Sequence, residues 1–124
     1  MSKAETVKTF NDIVESFLVQ YSKYLGTSYH HYFCKLAKMN ALLPIQHFIF
    51  YGLPLQSQII ARDESYFTNL DNHKDNEHIK EESKFIEIMR LNGVFEQLDK
   101  TEKDGVWDYL HAMVEFAIKY LQIK

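Results

Sequence analysis

Apolar side chains recur three and four positions apart from near the start of the chain: Val7, Phe10, Val14, Phe17 and Tyr21, with Ile13 and Leu18 widening the stripe. That period puts them on one face of an α-helix. Ser2 and Glu5 have the spacing of a capping box, in which each side chain satisfies a backbone N–H left open in the first turn. Gly26 is a natural C′ residue, so the helix is expected to end near it. Thr27 or Ser28 can cap a second helix carrying Tyr29, Tyr32, Phe33, Leu36 and Met39, before Asn40 and Pro44 mark a break and a restart. Ile45 to Tyr51 is apolar on nearly every side, the pattern of a helix buried within a bundle. Gly52 and Pro54 end it, and Leu55, Ile59 and Ile60 suggest a further short helix.

Residues 63–77 break the pattern, being crowded with Asp63, Glu64, Asn69, Asp71, Asn72, Asp75 and Asn76. They read as a polar surface loop anchored by Tyr66, Phe67 and Leu70, and loops of that length are usually either functional or mobile. Helical spacing returns at His78, with Ile79, Phe85, Ile86, Met89 and Leu91 facing inward as far as Gly93. Val94, Phe95 and Leu98 form a connector. Thr101 and Asp104 approximate a second capping box ahead of the stripe Val106, Leu110, Met113, Ala117 and Leu121. No run alternates apolar and polar residues as a strand does, and no internal repeat is present. The expectation is all-α: a single compact bundle of about five to six helices with a polar loop near 63–77, spanning 1–124 as one domain.

Length and composition narrow the function classes. The chain has 124 residues, 46% of them hydrophobic, enough for one packed core. Net charge is −3, against the basic balance of a general nucleic-acid binder. The charge is uneven: residues 1–62 hold six Lys/Arg and three Asp/Glu, whereas 63–124 hold eight and fourteen. Two solvated helix faces of opposite sign account for this, and a dipolar docking surface is the sharper reading. Met1 to Glu5 show no apolar signal region, and the stretch Ala41–Leu55 is too interrupted and short to span a bilayer. A soluble protein of a reducing compartment is expected, with no membrane association. The single cysteine, Cys34, cannot form an internal disulfide and reads as a buried, inert thiol among Tyr32, Phe33 and Leu36.

Candidate chemistry is sparse. Counted as a calcium loop from Asp71, the chain puts Asp75 at position five and Glu82 at position twelve. His73 and His78 displace expected residues, and Asn76 stands where the sharp turn needs glycine. Zinc held by His73, Asp75 and His78 would rest on three ligands of one flexible loop. His30 and His31 have no carboxylate partner in the local sequence, and their spacings from Cys34 set them on a neighbouring helix face. His47 and His111 read as hydrogen-bonded packing residues. No catalytic, cofactor-binding or metal residues are therefore assigned, and no cofactor is expected.

Arg62, Asp63, Glu64 and Tyr66 admit two readings: caps and ion pairs within the fold, or a polar contact surface for another protein. Nine Phe, eight Tyr and one Trp make the chain 15% aromatic, more rings than one small core uses. Trp107 is offset from its stripe and Tyr24 and Tyr120 lie at the edges of theirs, where Tyr and Trp serve contacts with partners. The expected interaction residues are Arg62, Asp63, Glu64, Tyr66, Trp107 and Tyr120.

Three segments carry a family resemblance: Phe10–Leu18 with Gly26–Tyr29, Asn40–Gln46, and Arg62–Phe67. With the Trp107-containing last helix, the chain resembles small uncharacterised helical proteins of large nucleocytoplasmic DNA viruses (giant viruses). The resemblance implies a viral protein acting in the host cell cytoplasm, the virus factory or the virion, and supplies no site residues. The leading expectation is a non-enzymatic helical protein–protein interaction module, self-associating or docking on one protein partner. The alternatives are a structural or nucleic-acid-associated virion component, and a small metal-dependent enzyme using the 71–82 loop.

Overall fold

The computed structural model describes residues 1–68 and 95–123, with side chains through Tyr66 and again from Phe95. Described residues are all-α, with no strand among them. Two long helices set the frame: α1 (Lys3–Gln20) and the C-terminal α7 (Lys100–Gln122). They run antiparallel, since Tyr21 beyond the end of α1 meets Glu102 in the first turn of α7, while Lys3 lies over the Tyr120 ring. Between them, Val7, Phe10, Val14, Phe17 and Leu18 pack against Val106, Leu110, Met113, Val114 and Ala117. Both stripes follow those marked by the helical period, except that Val114 joins the second and Leu121 is exposed.

The caps explain where each long helix starts. Ser2 Oγ accepts from the Glu5 N–H and Ser2 N–H donates to Glu5 Oε1, completing the expected box. Hydrogen bonds from the Ser2 backbone and side chain hold the Glu5 carboxyl below its ordinary pKa. At α7 the box lies two residues earlier than expected. Asp99, with ψ 177°, is the N-cap and accepts from the Glu102 N–H at 2.8 Å, while Glu102 returns to the Asp99 N–H at 3.1 Å. Thr101 lies inside the helix, two residues after the N-cap.

Helix α1 breaks at Tyr21 and is followed by one turn, α2 (Ser22–Leu25), before Gly26 takes φ 85°. Helix α3 (Ser28–Met39) lies against α1 and buries one residue, Phe33. Helix α4 (Leu43–His47) passes into a π-helical turn (Phe48–Gly52), a 3-10 turn (Leu53–Leu55) and α5 (Gln56–Ile60). The expectation of burial holds for Ile45 and Phe48, whose ring meets Phe10 edge-on at 5.5 Å. It fails for Phe50, which is 66% exposed: the wider π-turn does not carry every side chain inward.

The proposed polar loop is in part helical. Asp63 Oδ1 accepts from Ser65 Oγ at 2.8 Å and from the Tyr66 N–H at 3.2 Å, nucleating α6 (Glu64–Thr68). The remainder of the loop, the helix read from His78 and the 71–82 ion frame lie outside the described residues.

Candidate functional site

The predicted contact residues divide sharply once the helices are packed. Arg62 closes α5 with φ 54° and reaches α7, placing Nη2 2.9 Å from Asp108 Oδ1 and Nη1 3.4 Å from Asp104 Oδ1. Glu64 Oε1 lies 3.0 Å from Lys103 Nζ, and Tyr66 packs partly buried against the core. Arg62 and Glu64 therefore latch the segment onto α7, while Asp63 caps α6 and Tyr66 packs on the core, in line with the first of the two readings. Trp107 is corrected outright as a surface residue. It is 4% exposed and stacked on buried Phe95 at 5.1 Å. Its offset from the Val106 stripe reflects a second buried face of α7, which Phe95 covers.

Of the six, Tyr120 borders an apolar groove. The groove, of about 660 Å3, lies between the N-terminal half of α1, the 40–42 turn and the end of α7. Ala4, Val7, Ala41, Leu42 and Tyr120 line it, with Lys3 and Lys8 at its edge. The Lys3 ammonium lies 5.2 Å from the Tyr120 ring centre and Lys8 pairs with Asp12 at 3.2 Å. Two asparagines hold the turn: Asn11 Nδ2 donates to the Ala41 carbonyl at 3.0 Å, and Asn40 Oδ1 accepts from the Leu42 N–H at 2.9 Å. Leu42 is thus presented at the groove by a fixed backbone, still 37% exposed. The 30 positions separating Asn11 from Ala41 hid this from the sequence, where Ala41 and Leu42 only began an apolar stretch.

A second cluster corrects the reading of Cys34 and His30. Cys34 is half-buried, and His30, one helical turn earlier on α3, brings Nε2 to 3.4 Å from its sulfur. Glu15 arrives from α1, with Oε2 3.3 Å from His30 Nε2 and 3.5 Å from Cys34 Sγ. Burial first, and then the hydrogen bond and negative charge of Glu15, push the Cys34 thiol up, opposite to the shift a nucleophilic thiol requires. Spacing i, i+4 made the His30–Cys34 pair readable; the carboxylate depends on α1–α3 packing. Glu15, His30 and Cys34 are the group among the described residues whose donor atoms converge as metal ligands do.

The other histidines differ. His111 Nε2 lies 3.1 Å from the Ile59 carbonyl, a hydrogen-bonded packing residue as expected. His47 stands edge-on to Tyr51, and its buried Nδ1 has no partner among the described residues. No helix among the described residues is long and apolar enough to cross a membrane. No protein-family model, curated protein or solved structure matches this chain.

Proposed function

We propose that this chain is a non-enzymatic helical protein–protein interaction module, which takes an apolar side chain of a protein partner into the groove beside Leu42 and Tyr120. The observation that carries this reading is the groove itself: apolar walls, a basic edge at Lys3 and Lys8, and a turn pinned by Asn11 and Asn40. Concave apolar surfaces with an aromatic wall accept single anchoring side chains, which contribute most of the energy of such contacts. With Lys8 paired to Asp12, Lys3 leaves the groove edge with a net positive charge that favours an acidic group beside the partner's anchor, and the acidic second half of this chain makes a second copy the first occupant to test. The resemblance to giant-virus proteins extends the proposal to a partner met in the host cytoplasm, the virus factory or the particle.

Sedimentation velocity over a concentration series tests self-association, with Leu42→Glu as the groove-blocking variant. A two-chain species that Leu42→Glu abolishes supports docking on a second copy. A monomer carrying a photo-crosslinker at position 42 that captures one protein, lost on Tyr120→Ala, supports a different partner. A monomer that captures nothing at position 42 overturns the proposal.

A further inference from the structure

We propose that Glu15, His30 and Cys34 form a Zn2+ site that clamps α3 to α1. Tetrahedral zinc has bonds of about 2.0–2.1 Å to nitrogen and oxygen and about 2.3 Å to sulfur, which sets ligand–ligand edges of about 3.3 Å for N···O and about 3.5 Å for N···S and O···S. The three edges here are 3.3 Å, 3.4 Å and 3.5 Å in the same order. Each lies within about 0.1–0.2 Å of the corresponding edge of a zinc tetrahedron.

Hydrogen bonding accounts for the triangle less completely. The thiol and the imidazole Nε2 offer at most two protons for three edges. If both donate to Glu15, the S···N edge has no proton in it; if the thiol donates to Nε2, the N···O edge has none. A cation seated above the triangle satisfies all three at once. The donor set also selects the ion: sulfur and imidazole nitrogen suit borderline-soft Zn2+, whereas Ca2+ and Mg2+ take oxygen ligands. A thiolate and a carboxylate together balance its two charges.

The fold supplies a reason for a clamp. Of the twelve residues of α3, Phe33 alone is fully buried, with Tyr29 and Ala37 packed partly buried against the core, so a further tie to α1 adds to limited apolar packing. His30 and Cys34 share the face that looks at α1, and one ion joins both to Glu15. Three protein ligands leave the fourth position open, next to a cleft of about 240 Å3 bordered by Asn11, Asp12, Phe33 and Lys38. None of the three ligands lines the apolar groove, although the adjoining cleft shares Asn11 and Asp12 with it, and the site stands or falls independently of the interaction reading.

The test titrates the full chain, stripped of metal by chelation, with Zn2+ and with Co2+ as a spectroscopic stand-in. The expected result is one ion per chain, tetrahedral Co2+ bands with a thiolate-to-cobalt transition, a raised melting temperature with Zn2+, and protection of Cys34 from alkylation. Cys34→Ser and His30→Gln, each confirmed helical by circular dichroism, should weaken binding by roughly tenfold or more, while His31→Gln leaves it unchanged. Folded wild-type protein that binds neither ion overturns the proposal. So does zinc binding that survives unchanged in the Cys34→Ser, His30→Gln double variant.

Discussion

The Tyr21 hydroxyl donates to the Glu102 carbonyl at 2.9 Å, joining the end of α1 to the first turn of α7 across 81 positions of sequence. It can do so because residue 105 is glycine. A Cβ there would overlap the hydroxyl oxygen, whereas the next nearest atom, Tyr21 Cζ, would lie at an ordinary 3.6 Å. The pair therefore predicts a reversal of sign. Gly105→Ala should destabilise the wild-type protein, because the clash outweighs a helix-propensity gain of up to about 1 kcal/mol. Tyr21→Phe should cost about 1 kcal/mol through the lost hydrogen bond. In the Tyr21→Phe background, Gly105→Ala should become stabilising. A double-mutant cycle in urea checks this, and additive effects would refute the relationship.

Alkaline stability follows from the same corner. Burial, followed by the charges of Tyr109, Glu102, Asp108 and Asp99, raises the Tyr21 pKa above the ordinary 10.0, and the 2.6 Å hydrogen bond to Glu102 raises that of Tyr24. A group whose pKa rises on folding contributes stability that is fully present below the unfolded value. It is lost as pH climbs through the folded one. On account of these two tyrosines, thermal melts should thus fall from about pH 10 upward. Tyr21→Phe with Tyr24→Phe should flatten that limb, and an unchanged slope would show that other groups govern it.

Arg62 separates backbone strain from charge pairing. Its φ of 54° is costly for a side-chain-bearing residue, by roughly 1–2 kcal/mol, and glycine relieves the cost. Its half-exposed pairs with Asp104 and Asp108 contribute about 1 kcal/mol or less. Arg62→Ala keeps the strain and loses the pairs, so it should lower stability by about 1 kcal/mol. Arg62→Gly should remain within about 0.5 kcal/mol of wild type, read from denaturation midpoints. Equal losses in both variants would mean that strain plays no part.

The start of α7 can be located by substitution. Asp99→Ala should cost about 1 kcal/mol as the loss of an N-cap, whereas Thr101→Ala should change stability by less than about 0.5 kcal/mol. The reverse order would put the cap where residue spacing alone suggested it.

Trp107 offers an optical check on burial. Stacked on Phe95 within the core, it should emit at short wavelength and resist quenching by acrylamide in the isolated chain. Emission as red and as readily quenched as that of free tryptophan would return it to the surface.

The sequence by itself determined the helical class, the inward faces of α1 and α7, the Ser2–Glu5 cap and the glycine at the end of the first helical segment. These depend on residues within one or two turns of each other, and a period of 3.6 expresses them directly. Tertiary structure alone decided which face is covered by what. Trp107 is buried because Phe95 lies on it; Phe50 is exposed because a π-turn swings it outward. Asp99 rather than Thr101 became the cap because the backbone is still extended there and its carboxylate meets an open N–H. Of the groove, Tyr120 was visible as an edge residue and Leu42 only as part of an apolar stretch, and the concavity required α7 to run back along α1. Of the Glu15–His30–Cys34 triangle, the helical pair could be read from spacing, while the carboxylate came from another helix, fifteen positions from His30. Periodicity gives a side chain its direction from its own helix axis; only packing gives it neighbours from another.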